Sequence, residues 1–167
     1  MPPKVSIIMG STSDLGVMEA AAKLFDEFGI PFEMNALSAH RTPAEVEVFA
    51  RSARERGIKV IIAGAGMAAH LPGVIAAMTP LPVIGVPIKA SLEGLDSLLA
   101  IVQMPPGIPV ATVAINGALN AALLAVQIIA TGDEELMQKF ILYKEGLKEK
   151  IVKANKELEA IQYKFKV

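Results

Sequence analysis

The chain contains two histidines, and both lie in short segments of polar or small residues. His40 belongs to residues 38–43 (SAHRTP), and His70 ends the glycine-rich residues 64–70 (GAGMAAH). Each segment follows an apolar run and precedes a helix-like pattern, so we expect both imidazoles in loops at the carboxyl ends of strands, where open α/β sheets bind ligands. Histidine exchanges protons near neutral pH. With no cysteine and no obvious metal-ligand cluster, the first hypothesis is acid–base chemistry on a small anionic molecule.

Apolar runs and helical patterns alternate along the chain. The predicted strands cover residues 5–9, 32–37, 60–63, 83–86 and 110–114. The predicted helices cover residues 15–28, 43–56, 72–78, 95–102 and 120–131. Because the strands are continuously apolar, they favour a parallel sheet covered on both faces. We therefore expect one three-layer α/β/α domain over residues 1–132.

Residues 133–167 differ from the rest because they are rich in lysine and glutamate. Apolar residues recur there at steps of three and four, which predicts one long C-terminal helix with a single apolar stripe. That stripe comprises Leu136, Phe140, Tyr143, Leu147, Ile151, Ala154, Leu158 and Ile161. The helix can pack on its own domain or on a neighbouring subunit. We prefer the second, since so long a helix should extend beyond the edge of a compact domain of this size.

Composition narrows the possible partners. With 16 basic and 17 acidic residues, the net charge of -1 gives no sign of a polyanion-binding surface, and we expect no nucleic-acid partner. Prolines, glycines and charges interrupt every apolar run, so no membrane span is expected. The absence of cysteine excludes disulfides and thiol catalysis, and the first residues lack a signal-peptide pattern. We expect an unprocessed cytoplasmic protein.

The first candidate motif is residues 10–14 (GSTSD), directly after the first predicted strand. A glycine- and serine-rich turn before a helix offers N–H groups, hydroxyls and the positive end of a helix dipole, which suit a phosphate. Asp14 could accept hydrogen bonds from ribose hydroxyls. The alternative is that Ser13 or Asp14 only caps the following helix. No P-loop is present.

The second motif places Ser38, His40 and Arg41 within four residues. The forked guanidinium of an arginine binds phosphate or carboxylate through paired donors. The alternative is that Thr42 caps a helix with Pro43 at its first position, while His40 and Arg41 face solvent.

The third motif, residues 64–69, matches a dinucleotide fingerprint if alanine is allowed at its last position. We reject nicotinamide binding because the acidic residue expected about twenty positions later is missing. The glycines would instead let the backbone approach a flat ligand, and His70 would either border that site or only begin a helix. Lys89, the remaining cation near the fourth strand, is interpreted as solvated.

Taken together, the motifs resemble those of the 5-(carboxyamino)imidazole ribonucleotide mutases of de novo purine synthesis. The resemblance extends from Val5 to about Thr131 and includes residues 101–105 (IVQMP) and 107–110 (GIPV). It implies a flavodoxin-like sandwich, a homo-octamer, and no metal or organic cofactor. It also implies that His40 protonates the carbamate nitrogen as carbon dioxide leaves, and then removes the C4 proton after the ring carbon attacks that carbon dioxide.

The resemblance also distributes the substrate contacts. It assigns the phosphate to Ser11, Ser38 and Arg41, further contacts to Ser13, and the ribose hydroxyls to Asp14. It assigns the base and carboxylate pocket to Gly66, Ala68 and His70, in a dry enclosure that retains carbon dioxide.

Three points bear on this interpretation. Most relatives carry glycine where this chain has Met67, which would strain the loop or narrow the pocket if a positive φ is required. A related branch carboxylates aminoimidazole ribonucleotide directly and tends to have lysine after the catalytic histidine, so Arg41 favours the mutase. A non-catalytic nucleotide-binding module is the alternative from another class, because fold alone permits it.

Overall fold

The computed structural model describes all 167 residues of the chain, and one five-stranded parallel sheet forms its centre. The strands are β1 (Val5–Met9), β2 (Phe32–Ala36), β3 (Val60–Gly66), β4 (Val83–Ile88) and β5 (Ala111–Thr112). Their spatial order is β2-β1-β3-β4-β5. In this flavodoxin-like order the chain reverses its winding direction between β1 and β3, the point at which such sheets bind ligands. The predicted three-layer sandwich is confirmed.

Helices connect and cover the strands. They are α1 (Leu15–Phe28), α2 (Pro43–Ser52), α3 (Leu71–Met78), α4 (Leu95–Val102), α5 (Ala118–Ala130) and α6 (Glu134–Ala160). Short 3-10 turns, Thr12–Asp14 and Leu92–Gly94, precede α1 and α4. The bounds of α1 and α4 agree with those predicted. None of the helices combines the length and the apolar composition that a membrane span requires.

The core lies against both faces of the sheet, as the continuous apolar strands require. Every residue of β1 and β4 is buried. On one face, Ile8 and Ile61 pack in a cluster with Val46 of α2 and Ile75 of α3. Side chains of a strand alternate between faces, so Ile7, which is also fully buried, points to the opposite layer. This packing fixes the strand ends that position the site.

The structure corrects the prediction for the glycine-rich segment. The third strand does not end at residue 63, and residues 64–66 belong to β3 and pair with β4 as far as Gly66 and Ile88. Gly64 is not needed for the approach of a ligand. A Cβ at this position would lie 2.6 Å from Sδ of Met18, so the lack of a side chain lets Met18 of α1 pack against the sheet. Only residues 67–70 form the loop.

Other boundaries also differ from those predicted, most of all at α2, β4 and β5. Helix α2 ends at Ser52 rather than residue 56, and the chain turns back through Gly57, whose φ is +93°. Strand β4 continues to Ile88. Strand β5 has two residues instead of five. Pro109, which has no N–H to donate to a strand ladder, immediately precedes the predicted strand.

The chain divides into two compact units, Met1–Ile129 and Ala130–Val167. In the second unit, the Asp133 side chain accepts a hydrogen bond from Leu136 N–H and caps α6. The predicted long helix is confirmed, although Ile161, the last residue of its predicted stripe, lies just beyond the helix end. The later stripe residues Leu147, Ile151 and Leu158 are exposed.

Candidate active site

A cavity of about 420 Å³ opens at the carboxyl edge of the sheet, where the loops after β1, β2 and β3 meet. Its volume is in the range of about 300 to 1,000 Å³ that small-molecule sites occupy. Every residue predicted for the site lines it: Ser11, Ser13, Asp14, Ser38, His40, Arg41, Gly66, Ala68 and His70. The other lining residues are Gly10, Ala39, Ala65, Met67, Leu71 and Ala90. The predicted residues therefore share one cavity, and Met67 and Ala90 are among the residues that line it with them.

The loop after β1 forms a 3-10 turn whose cap is Ser11. Its Oγ accepts the N–H of Ser13 at 3.3 Å, whereas Asp14 makes no side-chain capping bond to α1. Asp14 occupies the N-cap position of α1, as the capping alternative states, but no side-chain hydrogen bond supports a capping role. Ser11 keeps its own hydroxyl hydrogen available for a bound anion.

Asp14 is the carboxylate of the cavity. Burial raises the pKa of the Asp14 carboxyl above its ordinary value of 3.8, while backbone hydrogen bonds from Ser11 and Gly10 act in the opposite direction. Burial raises the pKa because desolvation disfavours the charged form of the carboxyl. This effect is larger than that of the two backbone hydrogen bonds, so the pKa is raised overall. A ligand that donates hydroxyl hydrogens to this carboxylate would restore part of the lost solvation.

The loop after β2 is closed by Thr42. Its Oγ1 accepts the N–H of Ser38 at 2.9 Å and donates to the carbonyl of Ser38 at 3.1 Å, and its N–H bonds the same carbonyl at 2.9 Å. Thr42 occupies the N-cap position of α2, but its side chain caps no helical N–H. In the alternative interpretation Thr42 caps the helix. Pro43 does begin α2 as that alternative states, but the Thr42 hydroxyl makes no capping bond and instead fixes the loop that carries His40 and Arg41.

Arg41 is tied to both neighbouring loops. Its Nη2 donates to the carbonyl of Gly10 at 3.0 Å, and its Nε and backbone N–H donate to Oγ of Ser38 at 3.4 and 3.1 Å. The guanidinium thus crosses from the β2 loop to the β1 loop beside Ser11. Two of its donor groups are directed by these bonds, and the remaining N–H groups can meet an anion.

The two histidines form a pair that the sequence did not predict. Nε2 of His40 lies 2.8 Å from Nδ1 of His70, and the two rings meet edge to face with centroids 4.9 Å apart. Both side chains are exposed to the cavity and solvent. An N–H···N bond needs one protonated and one bare nitrogen. The pair can therefore carry an added proton on one ring and keep its bond.

Met67 directly follows β3 and has a φ of +53°. For a side chain larger than glycine this left-handed conformation costs of order 1 kcal/mol. The positive φ anticipated for this position is thus present, and the loop adopts it with methionine. Hydrogen bonds from Ala69 N–H to Met67 carbonyl and from His70 N–H to Ala68 carbonyl, both 2.8 Å, hold the following turn.

Lys89 lies outside the cavity lining. Its Nζ pairs with the carboxylate of Glu93, and its side chain is half exposed. The interpretation of Lys89 as a solvated residue agrees with this geometry, and nothing around it suggests a desolvated amine.

Comparisons with known proteins agree with this arrangement. The family described as AIR carboxylase matches residues 4–150. The N5-carboxyaminoimidazole ribonucleotide mutase of Pyrococcus abyssi is 63% identical over 147 residues, which are 87% of this chain and 84% of that protein. The phosphoribosylaminoimidazole carboxylase of Saccharomyces cerevisiae is 59% identical over 96% of this chain but only 28% of its own length.

A solved structure shares the fold. The crystal structure of Treponema denticola PurE superposes with a TM-score of 0.84 at 32% identity, covering 93% of this chain and 98% of that one. The family match spans most of the chain, and the high identity to the Pyrococcus abyssi mutase extends over more than four fifths of both proteins. The chain belongs to the AIR carboxylase family.

Proposed function

We propose that this protein converts 5-(carboxyamino)imidazole ribonucleotide to 4-carboxy-5-aminoimidazole ribonucleotide, a step of de novo purine synthesis. The observation that carries the proposal is the placement of His40 in one cavity with His70 and with Ser11, Ser38 and Arg41. A proton carrier there faces groups suited to a phosphate. The name of the Pyrococcus abyssi relative supports the same reaction.

The polar wall of the cavity would hold the ribose phosphate. The hydroxyls of Ser11 and Ser38 and the free N–H groups of Arg41 are the phosphate donors, with Ser13 beside them. Asp14 would accept hydrogen bonds from the ribose hydroxyls. The lining residues Gly66, Ala68 and His70 would contact the imidazole and its carboxylate.

His40 would transfer one proton in each direction. In the first step the bond between the carbamate carbon and nitrogen breaks, its electron pair remains on nitrogen, and protonated His40 supplies the proton. Carbon dioxide and aminoimidazole ribonucleotide result. Ring carbon C4 then attacks the carbon dioxide, and neutral His40 removes the C4 proton. His40 ends in its starting state, so no cofactor is needed to balance protons or electrons.

The alternative reaction is direct carboxylation of aminoimidazole ribonucleotide with carbon dioxide. The name of the larger Saccharomyces cerevisiae relative is consistent with it. Arg41 after the histidine favours the mutase by resemblance. A non-catalytic nucleotide-binding module is the second alternative, and it would use the same phosphate loops without proton transfer.

The deciding experiment incubates the purified protein with 5-(carboxyamino)imidazole ribonucleotide, without ATP or added bicarbonate. We expect rapid formation of the C4-carboxylated isomer. Dependence on aminoimidazole ribonucleotide plus carbon dioxide would instead establish the carboxylase. Ligand binding without any reaction would favour the binding module.

The matched variant is His40→Asn, which keeps a polar side chain of similar size. It should abolish turnover and leave substrate affinity within a few fold, because phosphate and ribose contacts lie on other residues. Equal turnover by the variant and the wild type would remove His40 from the mechanism.

We also infer that the protein assembles as a homo-octamer and acts in the cytoplasm. Apolar side chains that a single chain leaves exposed support assembly: Leu142, Ile151 and Leu158 on α6, and Leu95, Leu99 and Val102 on α4. Light scattering after gel filtration should give eight times the chain mass, and Ile151→Glu should lower it. A monomeric wild type would overturn the assembly proposal.

A further inference from the structure

The apolar wall of the cavity contains one long side chain that is largely exposed, that of Met67. Its other apolar residues are alanines and glycines, except for Leu71, which is buried at 3% exposure. Met67 is 60% exposed. A bound ligand could therefore remove apolar surface of Met67 from water, which no other side chain of this wall could do on the same scale.

The backbone at Met67 adds a second observation. A φ of +53° is unfavourable for methionine, and the exposed side chain buries little surface in the fold to offset it. Strained residues at a ligand cavity are commonly retained for what they do there. The left-handed turn places Met67 between β3 and His70, beside the end of the cavity assigned to the imidazole.

We propose that Met67 covers the imidazole end of the bound substrate and retains the carbon dioxide released in the first half of the reaction. This inference rests on the proposed function. The carbamate C–N bond breaks to give carbon dioxide, and the new bond to C4 forms from the same molecule only if it stays in the cavity. The thioether is flexible and apolar, which suits a cover over a neutral, weakly polar gas molecule.

The test measures escape directly. Unlabelled 5-(carboxyamino)imidazole ribonucleotide is converted in buffer containing ¹³C-bicarbonate and carbonic anhydrase, which keeps dissolved carbon dioxide labelled. Early in the reaction, mass spectrometry gives the labelled fraction of the C4-carboxylated product. We expect little label with the wild-type protein and several times more with Met67→Ala and Met67→Gly.

Three variants separate the side chain from the backbone. Met67→Ala removes the cover and keeps a Cβ at positive φ, whereas Met67→Gly removes the cover and relieves the strain. Met67→Leu keeps the apolar bulk and should behave as the wild type. Leu92→Ala is the matched control, because Leu92 is also exposed and has a φ of +44° but lies outside the cavity lining.

The possible outcomes are distinct. Increased label in both truncated variants, with Met67→Leu and Leu92→Ala at the wild-type level, supports the role of the side chain. Wild-type label in Met67→Ala, or full labelling of the wild-type product, overturns it. If the wild-type protein does not convert the substrate at all, the proposed function fails first, and that result is recognised by the absence of product.

Discussion

His40 and His70 are joined by a hydrogen bond of 2.8 Å between Nε2 of the first and Nδ1 of the second. The two residues are 30 positions apart and come from loops after different strands. One ring must donate and the other accept, so the contact fixes complementary tautomers at the two facing nitrogens. The hydrogen bond places a second imidazole directly beside His40, the residue proposed for proton transfer.

The first prediction concerns this bond in solution. In protein labelled with ¹⁵N-histidine, only two imidazoles contribute signals, so their assignment needs one variant. We expect scalar coupling between Nε2 of His40 and Nδ1 of His70 across the hydrogen bond. It should vanish in His70→Asn. Two uncoupled rings in the wild-type spectrum at neutral pH would contradict the pairing.

The second prediction concerns Thr42, which acts through Ser38 rather than on the ligand. Thr42→Val keeps the shape but removes both side-chain hydrogen bonds to Ser38. Leaving the Ser38 N–H without this acceptor should lower the free energy of unfolding by about 1 to 3 kcal/mol. KM should rise more than kcat falls, because the proposed phosphate donors on the same loop lose their fixed positions.

Thr42→Ser is the control for that prediction, since it restores the hydroxyl without the methyl group. Its KM and its urea unfolding midpoint should return close to the wild-type values. If Thr42→Val and Thr42→Ser raise KM equally, the hydroxyl does not position the loop.

The third prediction tests the geometry of Arg41. Arg41→Lys keeps the charge but cannot reproduce donation to Gly10 and Ser38 while also meeting an anion. A hydrogen bond to a charged group is worth about 1.5 to 3 kcal/mol, so KM should rise by roughly tenfold or more. Steady-state kinetics would measure this change.

Arg51→Lys provides the comparison for Arg41→Lys. Arg51 lies on α2 and pairs with Glu47 in solvent, away from the cavity. This substitution should leave KM unaltered. A similar KM increase in both variants would mean that the guanidinium of Arg41 has no special contact with substrate.

The fold and the lining of the site were largely predictable from the sequence. Continuous apolar runs indicate the positions of the strands. Because the carboxyl ends of parallel strands lie at one edge of the sheet, Ser11, Ser38 and Gly66 were expected to lie near one another, and all three line the cavity. Repeating patterns are local, which is why α1 and α4 were predicted with the correct ends.

What the sequence did not predict depends on contacts between distant residues. The bond between His40 and His70 requires the rotamers of two side chains on separate loops. The extension of β3 through Gly66 depends on pairing with Ile88 of β4, not on glycine's own preference. The prediction that Gly64 lets the backbone approach a ligand was wrong for the same reason. The space that a Cβ of Gly64 would need is filled by Met18, which lies on another element.

The last prediction concerns the pH dependence of stability at Asp14. Burial raises the pKa of this carboxyl in the folded protein above 3.8, so the folded state binds the proton more tightly than the unfolded state. The contribution of Asp14 to the free energy of unfolding is therefore largest at acid pH, and it falls as pH rises from the unfolded pKa through the raised folded pKa. Above that window the ionised carboxylate opposes folding.

Asp14→Asn removes this titration. Urea unfolding of both proteins between about pH 4 and pH 7 should show the variant gaining stability relative to the wild type as pH rises. Substrate affinity should fall in the variant at neutral pH, because the amide offers one acceptor oxygen where the carboxylate offers two. A stability difference that is constant with pH, or that changes in the opposite direction, would show that desolvation does not dominate at Asp14. The opposite signs of the two effects at neutral pH would identify Asp14 as a residue kept for the ligand at a cost to the fold.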